Sequence, residues 1–231
     1  MADPYVYEGT TILKNIPNIR DQAKLDEYES TMVQLSLTRL YKEGINVSRA
    51  HHLFDIHKAL FLNIYEWAGQ KRIINIYKQE QVLAGLSVEY SKFDNIEKDL
   101  SSIDANIIKT NWEYLSTKRK IKLISKIIAS IWQVHPFREG NTRSVATFLY
   151  FFMKGKGLTI DADFLSKHAK FFRNALVLAS IGKYSEFNHL ESILTDSVYN
   201  ESVSVNDKKY SEINGYNLDN YKYNYHSVKD G

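Results

Sequence analysis

His135-Pro136-Phe137-Arg138-Glu139-Gly140-Asn141-Thr142-Arg143 joins two strongly apolar segments, and its chemistry sets the expectations for everything around it. Pro136 has no backbone N–H and disfavours helical geometry at His135, so a helix expected over residues 118–134 ends there. Ile124, Ile127, Ile128 and Ile131 anchor that helix from behind, and His135 projects from its end. A second helix is expected over residues 144–154. Its first N–H groups lack internal partners and carry partial positive charge, which makes an anion site. Gly140 allows the backbone to come close to a phosphate, and Arg143 adds a planar, permanently charged fork. Glu139 suits a site that also takes Mg²⁺, an ion often held by one carboxylate together with substrate phosphates and water. His135 titrates near neutral pH and is the candidate proton acceptor. Each residue also has a structural reading. His135 is favoured at a helix C-terminus, Glu139 can be a solvated carboxylate, Arg143 can pair with a surface acid, and Asn141 suits a left-handed turn.

Working outward, residues 1–20 form an irregular lead. Asp21 caps a helix over residues 22–43, with Leu25, Tyr28, Met32, Leu35 and Leu40 as its buried stripe and Gly44 as its stop. Ser48 is the candidate cap of a helix over residues 49–67. Residues 73–77 are rich in β-branched side chains and read as a strand, with residues 81–86 as its partner. Further helices are expected over residues 88–104, 163–179 and 185–200, giving a mainly α protein with one hairpin. Residues 203–231 are Asn-, Lys- and Tyr-rich and cannot bury much surface alone, so they form a loosely ordered or draped tail.

Composition narrows the function classes. The chain has 231 residues, 44% of them apolar, enough for one domain with a sizeable core. A net charge of +3 gives no argument for nucleic acid, and the absence of cysteine removes disulfides and thiolate metal sites. The opening residues lack a signal peptide's basic start and apolar run, and no stretch has the apolar length of a membrane span. A cytoplasmic protein without membrane or nucleic-acid partners is expected. Abundant Lys, Ile, Asn and Tyr suit an AT-rich bacterial coding bias.

The stretch 135–143 resembles the motif of the Fic family, His-Pro-Phe-x-Asp/Glu-Gly-Asn-Gly-Arg-x-x-Arg, at His135, Pro136, Phe137, Glu139, Gly140, Asn141 and Arg143. Tyr65-Glu66-Trp67-Ala68-Gly69-Gln70-Lys71-Arg72 is similar to the family's aromatic-Ala-Gly-x-x-Arg stretch, and residues 5–15 resemble a lead found in several members, including secreted bacterial effectors. The resemblance implies a Fic-type helical domain over residues 21–202. A β-hairpin flap over about residues 72–87 would cover the active site, its strand Ile73, Ile74, Asn75, Ile76 and Tyr77 pairing with a target protein. It implies transfer of AMP from ATP, with Mg²⁺, to a hydroxyl of that target, releasing pyrophosphate. His135 would be the base, Glu139 the metal ligand, and Gly140, Asn141, Thr142 and Arg143 the phosphate cradle. The tyrosine-rich tail adds an expectation of self-modification, and an antitoxin partner, self-association and secretion into a host cell are further possibilities.

Two positions depart from the motif. Thr142 replaces a glycine, and a β-branched residue resists positive φ, so a reshaped loop is expected. Ala146 replaces the last arginine, which should weaken ATP binding by roughly 1.5–3 kcal/mol if nothing compensates. The family's inhibitory pattern, Ser/Thr-x-x-x-Glu-Gly/Asn, is met only in its first part, by residues 197–202. Two rivals therefore remain open: a non-catalytic nucleotide- or partner-binding module, and a transferase using another phosphate-containing donor such as phosphocholine.

Overall fold

The computed structural model describes residues 3–199, 207–210 and 213, and among them eight α-helices run in the order α1 Gln22–Glu43, α2 His52–Phe61, α3 Ile96–Lys109, α4 Thr117–Val134, α5 Asn141–Gly155, α6 Ala162–Lys167, α7 Ala169–Leu178 and α8 Asn188–Tyr199. The helix α4 is the central post. Ser116 caps it by accepting from the Arg119 N–H, and Ile121, Ile124, Ile128, Ile131 and Trp132 recur at helical spacing and are buried. It packs against α3, α5, α7 and α8, while α2 lies between α1 and α5. The helix α5 is apolar on most of its circumference, with Val145, Phe148, Leu149, Phe152 and Met153 all buried. Each such side chain contributes about 1.5–3 kcal/mol relative to exposure. The motif loop is thus slung between two helices that the core holds rigidly.

Local chemistry explains the ends of α1. The Asp21 carboxylate accepts from the Lys24 N–H, and Gly44, at φ 77°, returns its N–H to the Leu40 carbonyl. Its buried positions are Leu25, Val33, Ser36 and Leu40, whereas Leu35 is 60% exposed, one step off that stripe. The expected helix over residues 49–67 is shorter, because the chain turns after Phe61 so that Tyr65 and Trp67 stack on one another. The Ser48 cap does not form; its N–H donates instead to His52 Nδ1. The helix expected over residues 88–104 begins only at Ile96, and the one expected over residues 163–179 breaks at His168 into α6 and α7.

The hairpin flap is absent: among the described residues there is no β-strand, only an isolated bridge between Val6 and Leu13. Residues 73–80 run irregularly, and Gln81–Leu83 forms a 3₁₀ turn that Ala84 closes in the left-handed region. The reason is burial. Val82 and Leu83 are adjacent and both buried, which a period-2 strand cannot provide, and the neighbouring Glu80 is buried too. Two backbone bonds, Glu80 N–H to the Leu86 carbonyl and Gly85 N–H to the Glu80 carbonyl, span this turn in place of a ladder. Of the expected tail, Asp207–Tyr210 forms a 3₁₀ turn, and Tyr210 and Ile213 are buried on the core; the remainder, and residues 200–202 of the partial inhibitory pattern, lie outside the described residues.

Candidate active site

The loop begins with His135, which leaves α4 at φ 50°. Its Nδ1–H donates to the Trp132 carbonyl at 3.1 Å, which fixes the tautomer and leaves the Nε2 lone pair as an acceptor. Nε2 is buried without a hydrogen-bond partner among the described residues. The ring lies 4.1 Å from the Tyr90 ring and meets Trp132 edge-on at 5.0 Å. Burial, and next the nearby Lys78 charge, hold its pKa well below the ordinary value, so the imidazole is neutral. The sequence placed this residue at a helix end, and it is there, with 2% of its surface exposed.

Phe137 is fully buried, stacked on His57 at 3.7 Å and edge-on to Phe54. Asn141 closes the loop around it: Oδ1 accepts from the Phe137 N–H at 3.0 Å, and Nδ2 donates to the Phe137 carbonyl at 2.8 Å. The Asn141 amide is therefore engaged within the loop, and only its backbone N–H faces the role expected of it. Gly140 has φ 81°, and a Cβ there would lie 2.5 Å from Phe61 Cζ, so no other residue fits without a shift. His57 braces the loop from α2. Its Nδ1 accepts from the Gly69 N–H at 2.8 Å, so Nε2–H donates to the Glu139 carbonyl at 3.1 Å. Burial pushes the His57 pKa down to about 3.

The helix α5 begins at Asn141, three residues earlier than expected, with Gly140 as its cap. The first-turn N–H groups are thus those of Asn141, Thr142 and Arg143. Thr142 has ordinary helical geometry, so the strain expected of it does not arise; its hydroxyl accepts from the Trp132 indole N–H at 3.1 Å.

The charges around the loop are paired. Glu139 Oε2 lies 2.9 Å from Lys78 Nζ, and Oε1 accepts from the Gly140 N–H at 2.9 Å. Burial works to raise the Glu139 pKa, but Lys78, the Gly140 N–H and Arg143 together hold it down at about 2. Arg143 reaches Glu29 of α1 at 2.5 Å and lies over the Phe61 ring. Tyr65 also donates its hydroxyl to Glu29. Arg138 pairs with Asp3 at 2.8 Å. Arg72, almost wholly buried, donates Nε–H to the His135 carbonyl at 2.9 Å and Nη1–H to the Ile74 carbonyl at 2.7 Å, and also reaches the Ser91 and Val134 carbonyls. It satisfies the carbonyl end of α4 and ties the motif loop to the segment beyond it. That segment, with Ile73 60% and Tyr77 52% exposed, borders a groove of about 540 Å³ lined also by Asp3, Phe93 and Arg138.

Residues 47–153 match the Fic/DOC family. A probable protein adenylyltransferase of Sinorhizobium fredii is 32% identical over 182 residues, covering 79% of this chain and 90% of that protein. The chain belongs to the Fic/DOC family. It is a Fic-type nucleotidyltransferase, a protein adenylyltransferase. The probable adenylyltransferase Fic of Escherichia coli is 31% identical over 60% of this chain and 66% of that one. Among solved structures, the VirB-translocated effector BepC of Bartonella tribocorum, crystallised with bound AMPPNP, superposes with a TM-score of 0.70 at 24% identity, over 84% of this chain and 95% of that one.

In this Fic chain the expected site residues His135, Glu139, Gly140, Asn141, Thr142 and Arg143 lie on one loop and helix start, and Lys78 brings the segment of residues 73–77 beside them. Residue-by-residue reading missed Lys78, Glu29, His57 and Tyr90. A histidine one helical turn from Phe61 on an apolar face was a weak signal for His57; the others carried none, because each meets the loop from a distant part of the chain.

Proposed function

We propose that the AMP donor is ATP carried with Mg²⁺, and that His135 takes the proton of a target hydroxyl as it attacks the α-phosphorus. The observation that carries this is the tautomer of His135: Nδ1–H is tied to Trp132, and Nε2 keeps an uncommitted lone pair. The N–H groups of Asn141, Thr142 and Arg143, together with the α5 dipole, hold the phosphate chain. Arg143 exchanges Glu29 for phosphate oxygens. A Ser, Thr or Tyr hydroxyl of the target protein arrives from the groove along residues 73–77. The new bond joins its oxygen to the α-phosphorus, the bond to pyrophosphate breaks, and the proton goes to His135 Nε2. Charge stabilisation and positioning supply most of the acceleration.

The residues present fit a metal that comes with the nucleotide. Glu139 is held ionised, and the Lys78 ammonium already stands in for a cation at its oxygen. No group of three or more metal-ligating side chains occurs among the described residues, so a dedicated protein cage is absent there. Mg²⁺ would supply neutralisation of the phosphate charge, with Glu139 as its protein ligand.

Incubation with α-labelled ATP, Mg²⁺ and cell lysate tests the proposal. Label should attach to protein with the native chain, and His135→Ala should lower transfer by about 10²–10⁴-fold. Equal labelling by the two would remove His135 from the chemistry. ATP binding by calorimetry without any transfer would favour the binding-module alternative, and transfer from another donor in a competition panel would replace ATP.

A further inference from the structure

Glu80 has no exposed side-chain surface, yet it meets Arg173 of α7 in a two-pronged ion pair, Nη1 to Oε2 at 2.6 Å and Nη2 to Oε1 at 3.0 Å. Only the carboxylate is buried, the Arg173 side chain being 39% exposed, and burying a carboxylate costs stability unless it is paired, so a gain in stability does not account for its presence there. The third partner gives a better account. Glu80 Oε1 also accepts the Tyr90 hydroxyl at 3.2 Å, and the Tyr90 ring is the one that lies 4.1 Å from His135, tilted by 33°. On its other flank His135 meets Trp132 at 90°, and Trp132 is itself held by its N–H to Thr142. The Nδ1–H bond to Trp132 leaves the imidazole free to rock about that contact; the two aromatic walls restrict the rocking.

We propose that Tyr90, aimed by the buried Glu80 carboxylate and its Arg173 partner, is a positioning residue for His135, setting the ring plane in which Nε2 meets the target hydroxyl. The proposal rests on His135 being the base. Tyr90 touches no reacting atom; it acts through the imidazole. The Glu80–Arg173 pair thereby reaches the chemistry through two side chains, and its geometry matters for turnover but not for holding nucleotide.

Steady-state kinetics of target labelling, with the native chain and His135→Ala as references, tests this together with ¹⁵N NMR of the imidazole. Tyr90→Phe, which keeps the ring and removes its tether, and Arg173→Met should each lower kcat by about 10- to 100-fold, the scale of a small misplacement. The KM for ATP should stay within about twofold, since uniform binding is untouched. The His135 ring signals should move in both variants. Arg173→Lys, which preserves the charge opposite Glu80, should recover most of the loss. Unchanged kcat and unchanged His135 signals in Tyr90→Phe would overturn the proposal. That variant loses one oxygen and decides the matter even if Arg173→Met fails to fold. An inactive native chain, or an active His135→Ala, would instead sink the assignment of the base, a separate outcome.

Discussion

The motif loop of residues 135–143 and the segment of residues 72–87 touch each other, yet they are held in opposite ways. The loop is fastened mainly by bonds within it, with His57 bracing it from α2. The Asn141 amide clasps Phe137 in both directions, the Glu139 carboxylate takes the next residue's N–H, and His135 bonds back to the last turn of its own helix. The segment is fastened from elsewhere. Arg72 reaches the carbonyls at the end of α4, Glu80 pairs with Arg173 across 93 residues, and Leu83 is buried in the core. A stretch that carries its own fastenings has a shape that its residues announce. A stretch shaped by remote partners does not.

The strongest way to break this comparison is at the clasp. Asn141→Ala leaves the buried Phe137 N–H and carbonyl unpaired, and each orphaned group costs about 1–3 kcal/mol. Urea unfolding should show that loss, with adenylyl transfer falling alongside it. A variant with native stability would mean that something other than Asn141 holds the loop. Leu83→Ala tests the other side. Leu83 is fully buried, so truncation should cost about 2–5 kcal/mol. An independent hairpin resting on the surface would lose almost nothing on that substitution, and such a result would restore the flap expected from the residues alone.

Legibility followed the same division. The helices α1 and α4 were readable nearly to the residue because the Asp21 cap of the first, the Pro136 stop of the second and the apolar spacing of both are local. The loop's residue set was readable as well. Its local geometry was not: Thr142 was expected to reshape the loop but lies inside a helix, and Asn141, read as a left-handed turn residue as well as a member of the cradle, begins that helix with its side chain engaged with Phe137. The β-branched run at residues 73–77 spoke for a strand, and tertiary burial of Val82, Leu83 and Glu80 overrode it. Arg143 stood between phosphate and a surface acid on sequence grounds, and the acid, Glu29, lies on a helix more than a hundred residues earlier.

A smaller effect is expected where the two regions join. Glu139 has a pKa of about 2 in place of the ordinary 4.5, so its ionised form contributes stability above about pH 4.5, and the contribution fades as pH falls toward 2. Lys78→Met removes the nearest cation and lifts the folded pKa. The native chain should therefore lose more of its urea midpoint than the variant between about pH 6 and pH 3. Parallel losses would mean that Lys78 does not govern the carboxylate, and that the segment and the loop are joined through Arg72 alone.

The smallest effect concerns Arg143, a loop residue that is fastened remotely. Arg143 is 37% exposed in its side chain and pairs with Glu29, so the pair contributes only about 0–1 kcal/mol to stability. In Glu29→Gln the neutral amide still offers Tyr65 an acceptor but no longer competes with phosphate for the guanidinium. Folding should barely change, while ATP affinity measured by calorimetry should rise, by at most about fivefold on that energy scale. A fall in affinity would carry the opposite meaning. It would show that Glu29 holds Arg143 ready for the nucleotide, and that even the self-fastened loop depends on α1 for its working geometry.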